Sequence, residues 1–332
     1  MKVDVHLPSG DGCSISLPAK RPISELKATA QQHFQRRLKL TVKGQQLDLT
    51  STLHESGLRD GDVVSAVLQL GKLATTGVSF AWHGHGGEVV TWGNPQYGGD
   101  SSHVQEQLRN VQHIQANGGA LAAILESGSV VTWGHPEHGG DSSQVQEQLR
   151  KVQCIQANFS SFAAILESEA VVTWGHPKKG GDSSKVQEQL RNVQRIQATE
   201  NGMAFAALLE SGAVVTWGDP DWGGDSGHVQ EQLRSVQHIQ ATGGAFAAIL
   251  ESGSVVTWGD PNYGGDSSHV QEQLRNVQSI QSTISAFAAI LESGAVVTWG
   301  EPEHGGDSSE VQEQLRNVQR IQATGWCFCC HS

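Results

Sequence analysis

The 332-residue sequence has no run of about 18 or more apolar residues, and its N-terminus lacks a basic stretch followed by an apolar one and a small-residue cleavage site. The first absence argues against a transmembrane helix, and the second argues against a secretory signal. We therefore expect a soluble protein of the cytoplasm, with the nucleus as the alternative compartment and with no membrane partner.

Cysteine is scarce and unevenly placed. Cys13 and Cys154 stand alone, while Cys327, Cys329 and Cys330 lie within the last six positions. This distribution fits no disulfide framework and indicates a reducing compartment. The fifteen histidines are scattered along the chain without the His-x₃-His spacing of a zinc site. The sequence therefore predicts no disulfide, no metal site and no cofactor.

Basic residues become scarce after the first part of the chain. Residues 1–72 hold ten Lys+Arg against seven Asp+Glu, whereas the remainder holds twelve against twenty-seven. Nucleic-acid affinity comes largely from Lys and Arg side chains that neutralise phosphates, so the acidic remainder argues against direct nucleic-acid binding. A protein partner, including a basic one, is compatible with this charge.

Two periodicities follow each other in the first 70 residues. Apolar residues alternate within 3–7 and 13–17 with turn residues between them, which predicts a β-hairpin. Residues 23–34 show the apolar spacing of a helix, and 38–42 and 64–68 return to period two. A hairpin, a helix and two further strands follow one another in the order of a β-grasp fold.

Four segments of this head carry a resemblance to a known family. The segments MKVDVHLPSG, PISELKATAQQHF, LKLTVKGQQL and TLHESGLRDGDVVSAVLQ resemble ubiquitin and ubiquitin-like domains in order and spacing. The resemblance implies a ubiquitin-like domain over residues 1–70, followed by a linker at 71–79. Where ubiquitin ends in a di-glycine used for conjugation, this chain has Lys72 and Leu73 and continues, which implies an integral domain rather than a conjugated modifier.

The same resemblance implies a receptor-binding patch. The apolar patch of ubiquitin maps onto Pro8, Thr41 and Val67 of this sequence. A threonine at the central position removes an aliphatic contact worth roughly 1–3 kcal/mol. We therefore expect binding to proteins of the ubiquitin pathway, weakened by this threonine.

Internal repetition dominates the chain after Val78. The signature VVTWG places tryptophan at 92, 133, 174, 217, 258 and 299, so that four of the five spacings are 41 residues and one is 43. Each unit continues with a Pro and Gly-Gly turn, the segment DSSxVQEQLRN and the strands VQxIQAT and AFAAILESG. In the DSS segment, Ser102 and Gln105 suggest a capping box and the apolar spacing predicts a short helix of two or three turns.

A unit of three strands and one short helix cannot bury its own apolar face, so the units must stack as a solenoid or as propeller blades. The array begins at Phe80 and stops at the equivalent Phe328, after about six repeat lengths. Each end would then supply the strands that the other lacks. This favours a mainly β, closed β-propeller over residues 80–332, with about six short blades, or seven as the alternative.

The GxVVTWG strand, the Gly-Gly turn and the FAAILESG strand resemble the regulator of chromosome condensation repeat across residues 80–328. Members of that family have seven blades. One branch catalyses nucleotide exchange on a small GTPase with a wedge-like insertion, whereas no unit here exceeds the others by more than two residues. Another branch joins such propellers to HECT-type ubiquitin ligase domains, for which this chain has no room.

These observations favour a non-catalytic protein-protein interaction scaffold, linked to the ubiquitin pathway through its head. The alternatives are a guanine-nucleotide exchange factor or regulator of a small GTPase, and a fragment related to HECT-type ligases with such repeats. A decaying duplication without a selected partner is a further interpretation, since the units are nearly identical.

Candidate binding residues are those that differ between otherwise identical units, because the frame residues such as Trp133 and Asp141 have structural roles. One variable column holds Asn94, His135, His176, Asp219, Asp260 and Glu301, and a second holds Tyr97, His138, Lys179, Trp222, Tyr263 and His304. In a ring these columns would form a partner-binding rim. The competing interpretation is that the second column packs an aromatic side chain under the Gly-Gly turn.

Two segments of the chain depart from the repeat. The terminal Cys327, Cys329 and Cys330 replace the alanines of the FAA strand; with His331 they could bind a soft metal, and the ending loosely imitates a prenylation signal. A divergent or truncated last repeat is the simpler interpretation. Glu169 replaces a turn glycine, so the third hairpin is expected to be strained by about 1 kcal/mol if that turn requires a positive φ.

Overall fold

The structure is a computed structural model that describes residues 1–35, 38–68, 71–84, 87–199, 201–325 and 327–331. The chain divides into two compact units. The first comprises Met1–Leu73, Trp82–Val90 and Leu108–Val111, and the second comprises Ala74–Ala81, Thr91–Gln107 and Gln112–Ser332. None of the helices within the described ranges is long and apolar enough to cross a membrane.

The head forms one sheet and one helix. Its elements are β1 (Lys2–His6), β2 (Gly12–Ser16), α1 (Ile23–Phe34), β3 (Leu38–Val42), β4 (Gln45–Gln46) and β5 (Val63–Leu68). The sheet order is β2-β1-β5-β3-β4, with β1 and β5 parallel and the other pairs antiparallel. The hairpin, the helix and the two strands expected from the apolar spacing are present, together with the short β4.

The core of the head lies between α1 and one face of the sheet. The helix buries Ile23, Leu26 and Ala30, which recur at helical spacing, and the alternating Val3 and Val5 of β1 belong to the same buried cluster. Every second residue of a strand points to the opposite side. The other face of the sheet therefore remains free to carry polar and exposed side chains.

The repeat region forms a series of small sheets. Its strands are β6 (Lys72–Thr75), β7 (Ser79–His83), β8 (Val89–Gly93), β9 (Val111–Ala116), β10 (Ala120–Leu125), β11 (Val130–Gly134), β12 (Val152–Ala157), β13 (Ser161–Leu166), β14 (Val171–Gly175), β15 (Val193–Ala198), β16 (Ala204–Leu209), β17 (Val214–Gly218), β18 (Val236–Ala241), β19 (Ala245–Leu250), β20 (Val255–Gly259), β21 (Val277–Ser282), β22 (Ala286–Leu291), β23 (Val296–Gly300), β24 (Arg320–Ala323) and β25 (Phe328–His331). Within the described residues, β6 to β23 form six three-stranded sheets in chain order and β24 and β25 form a two-stranded sheet. The predicted hairpin of AFAAILESG with VVTWG is confirmed by antiparallel pairs such as Ala163 with Thr173.

The expectation that one blade is assembled from both ends of the array is wrong for the described residues. Strand β6, Lys72–Thr75, lies in the segment assigned to a linker and supplies the third strand of the first sheet. The backbone N–H of Thr76 donates to the carbonyl of Ser79, as Thr242 N–H does to Ala245 in a later unit. Because the first sheet is complete without them, β24 and β25 pair only with each other.

Successive sheets stack through a repeated aromatic contact. Phe162 and Trp174 are stacked with centroids 5.1 Å apart, and both belong to one buried cluster with Ala120 and Ala122 of the preceding sheet. In five units the tryptophan Nε1–H donates to a glycine carbonyl of the preceding unit at 3.0–3.1 Å, in the pairs Trp133–Gly98, Trp174–Gly139, Trp217–Gly180, Trp258–Gly223 and Trp299–Gly264. The first strands of successive sheets from β12 to β24 also contact one another.

The predicted helix in the DSSxVQEQLRN segment is wrong. Residues 102–107 form turns, and among the equivalent segments described only Ser309–Val311 is a single 3₁₀ turn. The glutamine expected to cap the helix bonds elsewhere: Gln146 Oε1 accepts from Ser142 Oγ at 2.8 Å, and its Nε2–H donates to the carbonyl of Val130 at 2.9 Å. Tertiary hydrogen bonds to the neighbouring strand therefore replace the local cap.

The turn of the third hairpin has the positive φ that its equivalents require. Glu169 has φ +60°, where Gly128, Gly212 and Gly253 have φ +76°. We expect Glu169→Gly to raise the free energy of unfolding by up to about 1 kcal/mol, because the strain removed exceeds the chain entropy added to the unfolded state. Equilibrium urea denaturation measures this difference.

The reciprocal change serves as the control. Gly212→Glu should lower stability, because a Cβ at Gly212 would lie 2.9 Å from the Cα of Ser235 in addition to the unfavourable φ. A loss of stability in Glu169→Gly would contradict the assignment of strain to this turn.

Candidate protein-binding face

Each VVTWG strand ends in a tight loop with the same backbone in every unit. The loop contains one 3₁₀ turn, namely Pro95–Tyr97, Pro136–His138, Pro177–Lys179, Pro220–Trp222, Pro261–Tyr263 or Pro302–His304. A glycine with positive φ closes it, and a Cβ at Gly139 would lie 2.8 Å from Phe162 Cδ2. The backbone is thus fixed by packing, and the variable side chains are displayed from a constant frame.

Some residues of the first variable column form hydrogen bonds with the backbone of their own loop. The side chains of Asn94, Asp219 and Asp260 accept hydrogen bonds from the backbone N–H two residues ahead, at 3.0, 3.1 and 2.9 Å. His135, His176 and Glu301 make no such cap. In the described part of the chain, the Nδ1 atoms of His135 and His176 are buried without a hydrogen-bond partner.

The second variable column makes contacts from one unit to the next. The ring centroids of Tyr97 and His138 are 6.4 Å apart, and those of Trp222 and Tyr263 are 5.3 Å apart. Tyr97 also stacks on His135 at 5.3 Å. Contacts of this kind stabilise adjacent loops against each other. Lys179 and His304 are half-buried at the equivalent positions, and their carbonyls accept hydrogen bonds from Asn158 and Thr283.

The aromatic rings of this column pack against the loop that joins the first and second strands of a sheet, which we call the second loop. A Cβ placed on Gly119 would lie 3.0 Å from both Tyr97 Cδ1 and His138 Cγ. Gly244 is enclosed in the same way by Trp222 and Tyr263. The glycines of the second loop are therefore needed because rings of two units approach them from both sides.

A third variable column, which the sequence reasoning missed, lies in this second loop. Its members are Gly118, Phe159, Gly202, Gly243 and Ile284, and Gly118 N–H donates to the Phe159 carbonyl at 3.1 Å, as Gly243 N–H does to the Ile284 carbonyl at 2.7 Å. Phe159 is 41% exposed, and its ring lies 5.6 Å from that of His138. The sequence does contain a signal for this column, because most units have glycine at this position whereas two units have Phe159 and Ile284.

His138 is held between these loops. Its Nδ1–H donates to the carbonyl of Phe159 at 3.1 Å, and burial is the main cause that lowers its pKa, against the opposing effect of this hydrogen bond. Nearby His135 and Lys179 lower the pKa further. A neutral imidazole that is fixed in one orientation adds a flat, weakly polar surface beside Phe159.

We name the surface made by Tyr97, His135, His138, Phe159, Trp222 and Tyr263 the aromatic loop face. Its members lie on loops at the same end of their sheets. They form two clusters, one of Tyr97, His135, His138 and Phe159 and one of Trp222 and Tyr263, with ring contacts inside each cluster. Aromatic side chains on a rigid frame supply large contact areas with little conformational entropy to lose on binding. The aromatic loop face is therefore suited to protein recognition.

In the head, two of the three expected patch residues share one surface. Thr41 and Val67 lie on the neighbouring strands β3 and β5, opposite the buried Leu40 and Ala66, whereas Pro8 is exposed in the β1–β2 turn. Thr41 Oγ donates to the carbonyl of Ser65 at 3.3 Å. The centre of this surface is thus polar, and Val67 is its exposed apolar member.

Comparison with solved structures gives distant likenesses. The chain is similar to human WBSCR16 at 13% identity and a TM-score of 0.44, covering 81% of this chain and 84% of that chain. It is also similar to Prp20p of Saccharomyces cerevisiae (14%, 0.44, covering 78% and 76%) and to yeast RCC1 (Prp20) bound to Kap60 (14%, 0.45, covering 77% and 78%). Likeness at this level assigns no function to the chain. No protein-family profile and no curated protein matches the sequence.

Proposed function

We propose that the repeat array is a non-catalytic scaffold that binds a protein partner through the aromatic loop face. The observation that carries this proposal is the combination of a constant frame with variable loop residues that contact one another between units. The frame tryptophans of the five units after the first are buried and hydrogen-bonded, whereas Phe159 remains 41% exposed beside His138. The acidic character of the array favours a partner with a basic surface.

A substitution on this face tests the proposal. The partner is first captured from the native organism and purified, and its dissociation constant for the full chain is then measured. Phe159→Asp is expected to weaken binding about tenfold or more, because exposed aromatic residues on rigid loops are typical binding hot spots. Val311→Asp is the matched control, since Val311 is 43% exposed in the array but lies outside the face. Equal binding by both variants and the parent chain would refute the proposed site.

For the head, we propose a ubiquitin-like domain at residues 1–70 that binds proteins of the ubiquitin pathway. The hairpin, α1 and the sheet order β2-β1-β5-β3-β4 support this fold, and the outward-facing Thr41 and Val67 support the position of its patch. The segment of strand β6 connects this domain to the array in the chain.

A gain-of-binding variant provides the test of the head. Thr41→Ile should tighten binding to ubiquitin-receptor domains about tenfold, because it adds buried aliphatic area at the centre of the patch. Val67→Asp should abolish the binding that remains. Deletion of the head must also reduce the recovery of ubiquitin-pathway proteins, and unchanged recovery would remove this half of the proposal.

A second candidate function is nucleotide exchange on a small GTPase. It is favoured by the repeat unit itself, whose GxVVTWG and FAAILESG strands resemble those of a family with an exchange-factor branch. The near-constant unit length leaves no wedge-like insertion of the kind that branch uses. Release of a labelled guanine nucleotide, measured with the full chain across a panel of small GTPases, decides the matter, because no acceleration on any of them excludes this function.

A further inference from the structure

The first sheet of the array exposes apolar residues at positions that later units bury. Phe80 is 38% exposed and Trp92 is 46% exposed, although their rings are stacked with centroids 5.3 Å apart. The neighbouring Val78 is 53% exposed. We name these three residues the Trp92 face. The equivalent pairs Phe162–Trp174, Phe205–Trp217, Phe246–Trp258 and Phe287–Trp299 are at most 4% exposed.

The later units show what such a face contacts. Phe287 and Trp299 form one buried cluster with Ala245, Ala247 and Ile249 of the preceding sheet. In the other units the equivalent residues of the preceding sheet pack against the Phe–Trp pair, as Ala163 and Ile165 do against Phe205. A repeated interface inside the molecule thus defines the shape and chemistry of the surface that fits the Trp92 face. That surface is a strand with two small apolar side chains followed by a large one at alternate positions.

One strand of the chain carries these positions uncovered. Cys327 and Cys329 occupy the places of Ala245 and Ala247 in the repeat, and both are exposed. Cys330, which corresponds to Ala248, is half-buried and packs with Phe328 on the opposite side. A free cysteine behaves as a small apolar residue in packing. The outward side of β25 therefore matches the first two of these three positions, whereas His331 takes the place of Ile249 in the sequence.

We propose that the Trp92 face docks onto the Cys327 and Cys329 side of β25 in a second copy of this chain. Both surfaces are exposed in one chain, so the chain does not cover either of them with the other. Successive sheets already stack on one another within a copy. The proposed contact extends this stacking from the last sheet of one copy to the first sheet of the next copy. The contact is heterologous, because it joins two different surfaces. A pair of copies therefore still has one free Trp92 face and one free β25 surface, to which further copies can bind. The aromatic loop face takes no part in it.

The oligomeric state of the full chain tests the proposal. Under reducing conditions, which prevent cross-linking of the exposed thiols, sedimentation velocity should show association that increases with protein concentration. Trp92→Asp should raise the midpoint concentration of association about tenfold or more, because a buried aromatic anchor is lost and a charge is placed in the contact. Val63→Asp is the control, since Val63 is 57% exposed and lies outside both surfaces.

Mixing two variants tests which surfaces meet. Trp92→Asp leaves the β25 surface intact, and Cys329→Arg leaves the Trp92 face intact. At the concentration where half of the parent chain is associated, each variant alone should be monomeric, and an equimolar mixture should form a dimer that does not grow further. Three results would overturn the proposal: a monomeric parent chain at all concentrations, association that Trp92→Asp leaves unchanged, or association that Cys329→Arg leaves unchanged, which would indicate contact between two Trp92 faces.

Discussion

Replacing Trp258 by alanine is expected to lower the free energy of unfolding of the array by about 3–5 kcal/mol. The indole is fully buried, is stacked on Phe246 at 5.1 Å and donates to the carbonyl of Gly223 at 3.1 Å. Its removal leaves a cavity between two sheets and a buried carbonyl that has lost its donor. Equilibrium urea denaturation, monitored by circular dichroism, measures the loss of stability. Faster hydrogen exchange in β19 and β20 would show that the destabilisation is located in this sheet.

The repeat offers a matched control for this change. Trp92→Ala alters the same residue in the same sequence signature, but Trp92 is 46% exposed. At a protein concentration too low for association, we expect a loss of about 1 kcal/mol or less, because little apolar area is returned to water. Similar losses in the two variants would show that the repeat signature, rather than burial between sheets, sets the contribution of each tryptophan.

Gly139→Ala is expected to destabilise the array by about 2–4 kcal/mol, from backbone strain and overpacking together. Gly139 has φ +89°, and an added Cβ would lie 2.8 Å from Phe162 Cδ2 and 3.0 Å from Trp174 Cδ1. Both rings are packed between sheets and have no free volume to move into. The same denaturation experiment measures the effect.

Gly10→Ala separates the two causes. Gly10 has a similar φ of +94°, but no atom lies within 4 Å of an added Cβ. Only the strain remains, so the head should lose about 1 kcal/mol. An equally small loss in Gly139→Ala would mean that the loop can move away from the aromatic pair, and that its backbone is less fixed than the close approach implies.

The Trp92 face and the aromatic loop face have different proposed roles, namely self-association and partner binding. The Trp92 face corresponds to the surface by which each later sheet packs on the preceding sheet, and for that reason we expect it to bind a sheet of another copy. The aromatic loop face carries residues that differ between units, as expected for recognition of an unlike partner. Substitutions at Phe159 and at Trp92 should therefore affect partner binding and self-association separately.

The sequence by itself determined the elements whose causes are local. The period-two segments of the head and the VVTWG and AFAAILESG strands follow from alternation, and the positive φ at Glu169 follows from the glycines at its equivalent positions. A repeat of fixed length also identifies the loops that vary. Each of these features depends on residues that are close in the chain, and periodicity reports such relations directly.

Only the tertiary structure decided the features that depend on distant neighbours. Lys72–Thr75 becomes a strand because β7 lies beside it, and Gln146 leaves the expected helix cap because the carbonyl of Val130 lies within reach. The exposure of Phe159 and the burial of Trp258 likewise depend on which sheet packs on each residue. Identical sequence signatures thus give a buried Trp258 and an exposed Trp92, because burial is a property of the surrounding sheets and not of the residue.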